Sequence, residues 1–360
     1  MVNTILIYES ILPELCEIRS SQTAAALRLF AKTYFPHYQK VPPSIMHQEL
    51  YDMLQKVDEQ ASQRIAVAAP RGNAKSTLVS LFFILWIICT EREKYVLLLS
   101  DTKDKAAQFL ANVREELQTN EKLRKDYPHV CELPGRRPAP RRWRESRLET
   151  RNGCCITAAG AGQSLRGSKF QTYRPGLIIL DDIENEENTA TPEAREKMET
   201  WFNRTVLKAG NPQTHIVMVG TIQHYDSLLA KLTSTKMSSI WESRIYRSII
   251  HWSEHHTLWE QWTKILHGHE PHNGKSGLDG AKQFFIDHQQ DMLKNTQVLW
   301  PELEDYHQLM IMRETEGHWA FNAEKQNEPV NKEDCLFDPD EFYYWDDQYS
   351  SAEELIDYVY

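Results

Sequence analysis

The chain has 360 residues, 41% of them hydrophobic, and a formal net charge of −10. That is enough for one large domain or two ordinary ones. The charge is lopsided: residues 332–360 hold ten acids against one lysine, leaving 41 acids against 40 bases before them, so the global acidity says little about what the body binds. The longest apolar run, Leu78 to Cys89, has 12 residues, which suits a buried helix and excludes a bilayer span. No basic n-region leads into an apolar stretch at the start, as a secretory leader would. Six scattered cysteines without a C-x-x-C read as reduced thiols in a cytoplasmic protein.

The pattern opens helical. "SQTAAALRLFAKTYF" carries apolar residues at helical spacing and is stopped by Pro36, and Ser44 caps a second helix after two prolines. "RIAVAA" predicts a first strand, followed by a breaker and then the buried helix from Lys75. "KYVLLLSD", "GCCITAAGAG", "GLIILDD" and "THIVMVGT" predict four more strands. Helices fall between or after them at Thr102–Asn120, Thr191–Val206 and Asp226–Leu232. Apolar runs alternating with helical patterns imply a parallel sheet built from βα units. After about residue 240 the alternation stops: one strand-like stretch, "WESRIYRSI", precedes three helical ones. The expected organisation is a helical region over 1–62, an α/β core over 63–240, a strand and helical subdomain over 241–331, and an acidic tail over 332–360.

"VAAPRGNAKSTLV", Val67 to Val79, nearly matches the phosphate-binding pattern G-x-x-x-x-G-K-[ST]. Lys75 and Ser76 are in place, Ala69 and Ala74 stand where the glycines belong, and Arg71 lies inside the loop. Glycine is needed there only where φ is positive or a β-carbon would clash, and alanine is the smallest departure. Position strengthens the match, because a strand precedes the loop and a helix N-terminus follows it. The candidate nucleotide-binding residues are Pro70, Arg71, Gly72, Asn73, Ala74, Lys75, Ser76 and Thr77. A second element, "LIILDD", ends a buried strand in acids. Asp181 and Ser76 are the candidate Mg²⁺ holders and Asp182 the candidate base, with the longer-reaching Glu184 in reserve. Thr221, in "VGTIQH", is placed to sense a γ-phosphate. "GAGQSLRGSKF" is a flexible loop bearing Arg166, an arginine suited to developing phosphate charge.

Two further patterns have bland readings beside sharp ones. Gly135 to Arg151 holds seven arginines against two glutamates; this is a solvated loop or a polyanion contact. "HWSEH", His251 to His255, fits the inverted zinc motif H-x-x-E-H. A chain with 14 histidines produces so short a match easily, and no distant third ligand is indicated.

Taken in order, "PRGNAKST", "GQSLRGSKF…RPGLIILDDIENEEN", "TPEAREKMETWF", "VMVGTIQHYDSLL" and "FNAEKQNEPV" resemble the large terminase subunit of tailed bacteriophages over about residues 25 to 340. The resemblance implies an α/β P-loop NTPase of the RecA/ASCE-like kind, with a mainly parallel sheet flanked by helices and a small, mainly helical C-terminal subdomain. It implies an ATPase that uses ATP and Mg²⁺ to drive double-stranded DNA into a procapsid in the host cytoplasm. A portal protein, a small terminase subunit and a homo-oligomeric ring, commonly a pentamer, are the implied partners. Carried over by position, Lys75 binds the β/γ-phosphates and Arg71 lies beside the γ-phosphate as a cis arginine or sensor. Thr221 belongs to the coupling motif, and Arg166 is a finger acting on a neighbouring subunit. The family places a glutamate directly after the Mg²⁺ aspartate; this chain has Asp182, which leaves the base open between Asp182 and Glu184. The nuclease half of such proteins has no counterpart in this pattern, so no nuclease activity is expected from the chain. The alternatives are a helicase-like or repair ATPase, which needs a second RecA-like sheet, and a low-turnover nucleotide switch.

Overall fold

A computed structural model describes residues 15–23, 25–58, 62–131 and 143–329. Arg136, Arg137, Arg141 and Arg142 of the basic cluster, and the acidic tail, lie outside the described residues.

Helices α1 (15–23), α2 (Leu27–Tyr34) and α3 (Ile45–Gln55) come first. Ser44 caps α3 in a reciprocal box with His47, whose ring meets both the hydroxyl and the amide of Ser44. Strand β1 (Arg64–Ala68) leads into the loop. The helix beyond it runs in π register over Thr77–Phe83 and continues as α4 (Ile84–Cys89). Then follow β2 (Tyr95–Ser100), α5 (Lys103–Thr119), α6 (Glu121–Asp126), β3 (Trp143–Arg144), β4 (Arg147–Glu149), β5 (Cys155–Gly160) and β6 (Leu177–Asp181). The chain continues through α7 (Glu186–Thr189), α8 (Pro192–Trp201), α9 (Leu207–Ala209), β7 (His215–Gly220), α10 (Leu228–Leu232) and β8 (Glu242–Ile245).

These strands form one eight-stranded sheet in the order β3-β4-β5-β2-β6-β7-β1-β8. From β5 to β8 every pairing is parallel, and β3 and β4 add an antiparallel hairpin at one edge. The arginine-rich pattern of 135–151 predicts a loop through residues 143–149. Arg144 and Arg147 in fact pair across that hairpin, a two-residue turn too short to leave a periodicity. Strand β8 lies beyond the expected boundary at residue 240 yet pairs with β1 in the main sheet. Buried side chains cover both faces of the sheet: one face holds α2, α3 and the helix 77–89 with α5 and α6, and the other holds α8, α9 and α10. Gly160 ends β5 against the start of α5, where a β-carbon would lie 2.7 Å from the Lys103 nitrogen; the close approach demands glycine.

After β8, strands β9 (Ile249–His251) and β10 (Gln297–Val298) form a separate antiparallel pair. Helices α11 (His256–Leu266), α12 (Gly277–Met292), α13 (Tyr306–Glu316) and α14 (His318–Gln326) pack with them around a core of their own. Trp259, Trp262, Phe284, Phe285 and Phe321 supply its bulk. The pattern does not predict helix α11, because the aromatic, histidine-rich stretch from which it starts reads as loop. No helix among the described residues is long and apolar enough to cross a membrane.

Candidate active site at the carboxyl edge of the sheet

Register builds the site. Val67 and Ala68 of β1 lie opposite Val219 and Gly220 of β7, and Asp181 of β6 lies opposite Val219 from the other side. Three neighbouring strands therefore end at one level, with β7 between the loop strand and the acidic strand. The backbone continues this order past the strands: the Ala69 amide donates to the Gly220 carbonyl, and the Asp182 amide to the Val219 carbonyl, each at 2.9 Å.

Lys75 is buried at this level. Its Nζ lies 3.2 Å from Thr221 Oγ1 and 3.4 Å from Asp182 Oδ1. Thr221 Oγ1 in turn donates to the Ala69 carbonyl at 3.2 Å, tying the loop after β7 to the start of the phosphate-type loop. Ser76 Oγ donates to Asp181 Oδ1 at 2.8 Å, and Ser80, one helical turn further in, donates to Oδ2. Ser100 at the end of β2 holds the Asp181 carbonyl at 2.8 Å. Burial, then the adjacent Asp182 charge, push the Asp181 carboxyl up to about 6; the two serine hydroxyls and Lys75 oppose that rise. A hydroxyl and a carboxylate converging on one point are hard oxygen donors. They fit Mg²⁺, which takes one or two carboxylates and keeps the rest of its shell as water and phosphate oxygens.

The loop answers the question of its missing glycines. Ala69 has an ordinary backbone, so no glycine is needed there, whereas Ala74 sits at φ 54 in the left-handed region. A β-carbon there costs on the order of 1–2 kcal/mol. The expectation that alanine substitutes without strain holds at Ala69 and fails at Ala74. Gly72, at φ 86, takes the other left-handed turn. Asp182 is itself left-handed, at φ 47, so the chain turns directly after β6. That is the kind of backbone strain found at functional sites.

Four candidates lie apart from the Lys75 cluster. Glu184 is buried, and both its oxygens accept from the first amides of α10, Leu228 at 2.6 Å and Leu229 at 2.9 Å. It caps a helix, so the reserve base has its acceptors occupied. Arg71 is 76% exposed, and its guanidinium stands 3.5 Å from Glu324 of α14. Arg166 is exposed on a tight turn, held by the buried Leu165 before it and left-handed Gly167 after it. His251 belongs to β9 and His255 caps α11, so the H-x-x-E-H residues share no helical face; no group of three metal-ligating side chains exists among the described residues. That arrangement removes the zinc reading.

The structure adds residues that the motif reading passed over. Lys105 of α5 approaches Asp182 Oδ2 at 3.9 Å and Asp101 at 3.6 Å. The loop crest is bound to α14: the Arg71 amide donates to the Glu324 carbonyl at 2.9 Å, and Lys325 Nζ reaches the Arg71 carbonyl at 3.3 Å. Just beyond α14, Asn327 donates to the Tyr246 carbonyl at 2.8 Å and accepts from the Ile222 amide at 2.9 Å. Beneath the loop, the buried His47 ring meets the Asn73 backbone. "FNAEKQNEPV" contains Glu324, Lys325 and Asn327, but nothing in a one-dimensional pattern says that a segment some 250 positions away touches a loop.

A strand–loop–helix unit with a buried lysine and an aspartate two strands away defines the class: a P-loop NTPase fold with an extra strand between the two motif strands. No family model matches the chain. Among curated proteins it is similar to the large terminase subunit of Enterobacteria phage T3, at 25% identity over 204 residues, which is 55% of this chain and 32% of that protein. The match thus spans about a third of the relative's length. Among solved structures it is similar to the large terminase of bacteriophage HK97, with a TM-score of 0.45 and 12% identity over 77% of this chain and 54% of that one. It is also similar to the large terminase ATPase domain of Thermus phage P74-26, with a TM-score of 0.40 and 13% identity over 81% of this chain and all of that domain.

Proposed function

We propose that the chain is the ATP-hydrolysing motor part of a phage terminase large subunit, coupling ATP turnover to movement of double-stranded DNA into a procapsid. The observation that carries this is the convergence of Lys75, Ser76, Thr221, Asp181 and Asp182 at the ends of three adjoining strands. The similarity to a large terminase subunit supports the packaging role. Phosphates of ATP sit over the loop and the helix N-terminus beginning at Lys75, where amide dipoles favour negative charge. Lys75 leaves Asp182 for the β/γ-phosphates. Ser76 and Asp181 would hold Mg²⁺, which when bound would supply charge to offset that of the phosphates.

Asp182 is the general base. It takes a proton from the attacking water as a new P–O bond forms at the γ-phosphorus and the bond to the β-phosphate oxygen breaks, releasing ADP and phosphate. Thr221, bonded to both Lys75 and the Ala69 carbonyl, is placed to report that exchange to the segment after β7. Arg166, outward on its pinned turn, acts on a neighbour's nucleotide in a homo-oligomeric ring, and Arg71 acts in cis once released from Glu324. A portal protein and a small terminase subunit complete the assembly, in the host cytoplasm.

The test is phosphate release from ATP by the full chain with double-stranded DNA, in the presence of portal or in a forced oligomer. Lys75→Ala and Asp182→Asn each lower turnover by about 100-fold or more, whereas Glu184→Gln lowers stability by about 1 kcal/mol through α10 with turnover kept. Wild-type turnover no higher than that of Lys75→Ala sinks the reading. Loss of turnover in Glu184→Gln with Asp182→Asn active moves the base to Glu184.

A further inference from the structure

Ser80 is the one polar side chain between Leu78 and Ile88 in an otherwise apolar buried helix. It is 1% exposed, and a hydroxyl that deep costs free energy unless bonded. A serine inside a helix ordinarily satisfies itself on the carbonyl four residues back. Ser80 instead sends its proton across to Oδ2 of Asp181, on a different element, while Ser76 binds Oδ1 of the same carboxylate. The stretch that carries it, Thr77–Phe83, is in π register, a departure from the α-helix that recurs at functional sites. Asp181 is fully buried, and its backbone carbonyl is fixed by Ser100. Its carboxylate orientation is therefore set from two sides by two serines, of which Ser76 is half-buried at the surface of the site and Ser80 is sealed beneath it.

We propose that Ser80 is a positioning residue for the metal edge of the site: by holding Oδ2 of Asp181 it keeps Oδ1 turned to Ser76, the pair that receives Mg²⁺. The proposal rests on the nucleotide-site reading given above. Ser80 lies one helical turn beyond Ser76 and bonds the other oxygen of Asp181, so it acts through Asp181. Without its proton, Oδ2 is a buried acceptor with no donor, and the carboxylate gains a reason to rotate and share Ser76. Groups that orient metal ligands typically govern metal affinity by about 10–100-fold on substitution.

The test uses the full chain with a fluorescent ADP, in EDTA and in Mg²⁺, and bound Mn²⁺ followed by electron paramagnetic resonance in the presence of ADP. Ser80→Ala raises the Mn²⁺ concentration for half-occupancy by about tenfold or more and leaves ADP affinity in EDTA within about twofold. Ser80→Thr, which keeps the hydroxyl, restores most of the metal affinity. Ser80→Cys, close in size with a weak donor, behaves as Ser80→Ala and covers the case in which the alanine variant does not fold. Overturning results are an unchanged Mn²⁺ midpoint in the alanine or cysteine variant, or an equal loss of ADP affinity with and without metal, which marks a purely structural serine. If the wild-type chain itself shows no metal-dependent ADP binding, the nucleotide-site reading fails first and takes the Ser80 proposal with it.

Discussion

The carboxyl edge of the main sheet and the helical unit around α11–α14 handle charge in opposite ways. At the edge, Lys75 and Asp181 are buried and satisfied by a few short contacts, Lys75 with Thr221 and Asp182, and Asp181 with Ser76 and Ser80. In the helical unit the charged partners reach in from the surface: the exposed His267 and His318 meet the nearly buried Glu314 carboxylate, and His272 pairs with the partly exposed Asp287. Its centre is aromatic. Screened surface pairs contribute little, whereas each buried polar atom at the edge is costly to orphan. The first arrangement is poised for a ligand to rearrange it; the second holds a shape.

That contrast is open to measurement. The largest stability effect belongs to His47, under the loop. Burial pushes its imidazole down to about 4 from an ordinary 6.5, so the fold favours the neutral ring. Its contribution is fully present above the unfolded pKa and lost as pH falls from about 6.5 through about 4, on the order of 3 kcal/mol. Urea unfolding across that range should show the slope, and His47→Gln should flatten it; an unchanged slope ends the assignment. Next comes Asn327, buried and bonded to both Ile222 and Tyr246. Asn327→Ala orphans two backbone groups and should cost about 2 kcal/mol. It should also raise hydrogen exchange at the Ile222 amide; protection equal to wild type would refute the link.

Ala74→Gly should gain roughly 0.5–1 kcal/mol in thermal unfolding by relieving the left-handed β-carbon, less the entropy glycine adds to the unfolded chain. A loss would mean that Ala74 makes a contact worth more than its strain. The smallest effect is expected in the helical unit: His318→Ala should shift stability by about 0.5 kcal/mol or less. A shift as large as that of Asn327→Ala would erase the contrast between the two regions.

Much of the edge was legible because its residues are local to strand ends. Lys75, Ser76, Asp181, Asp182 and Thr221 each sit within a short apolar-then-polar pattern, and parallel strands of similar length bring such ends to one level. The residues that were missed contribute from elements with no motif of their own. Lys105 lies three residues into a surface helix, Ser80 is one polar letter in an apolar run, and Glu324, Lys325 and Asn327 follow the loop by some 250 positions. The surroundings of Glu184 are not legible in sequence, because an acid three residues past a strand reads the same whether it faces solvent, a metal or the amides of a later helix.

By itself the sequence determined the class of fold and where its strand–loop–helix unit lies, through hydrophobic period and a lysine–hydroxyl pair after a strand. Tertiary structure alone decided which glycines the loop needs, since φ at Ala69 and Ala74 is set by where the flanking strand and helix anchor. It also decided that Glu184 caps α10, that Arg71 meets Glu324, and that two serines rather than one hold Asp181. Those contacts join residues between 44 and some 250 positions apart, and spacing along a sequence carries no information about which side chains meet when the elements pack.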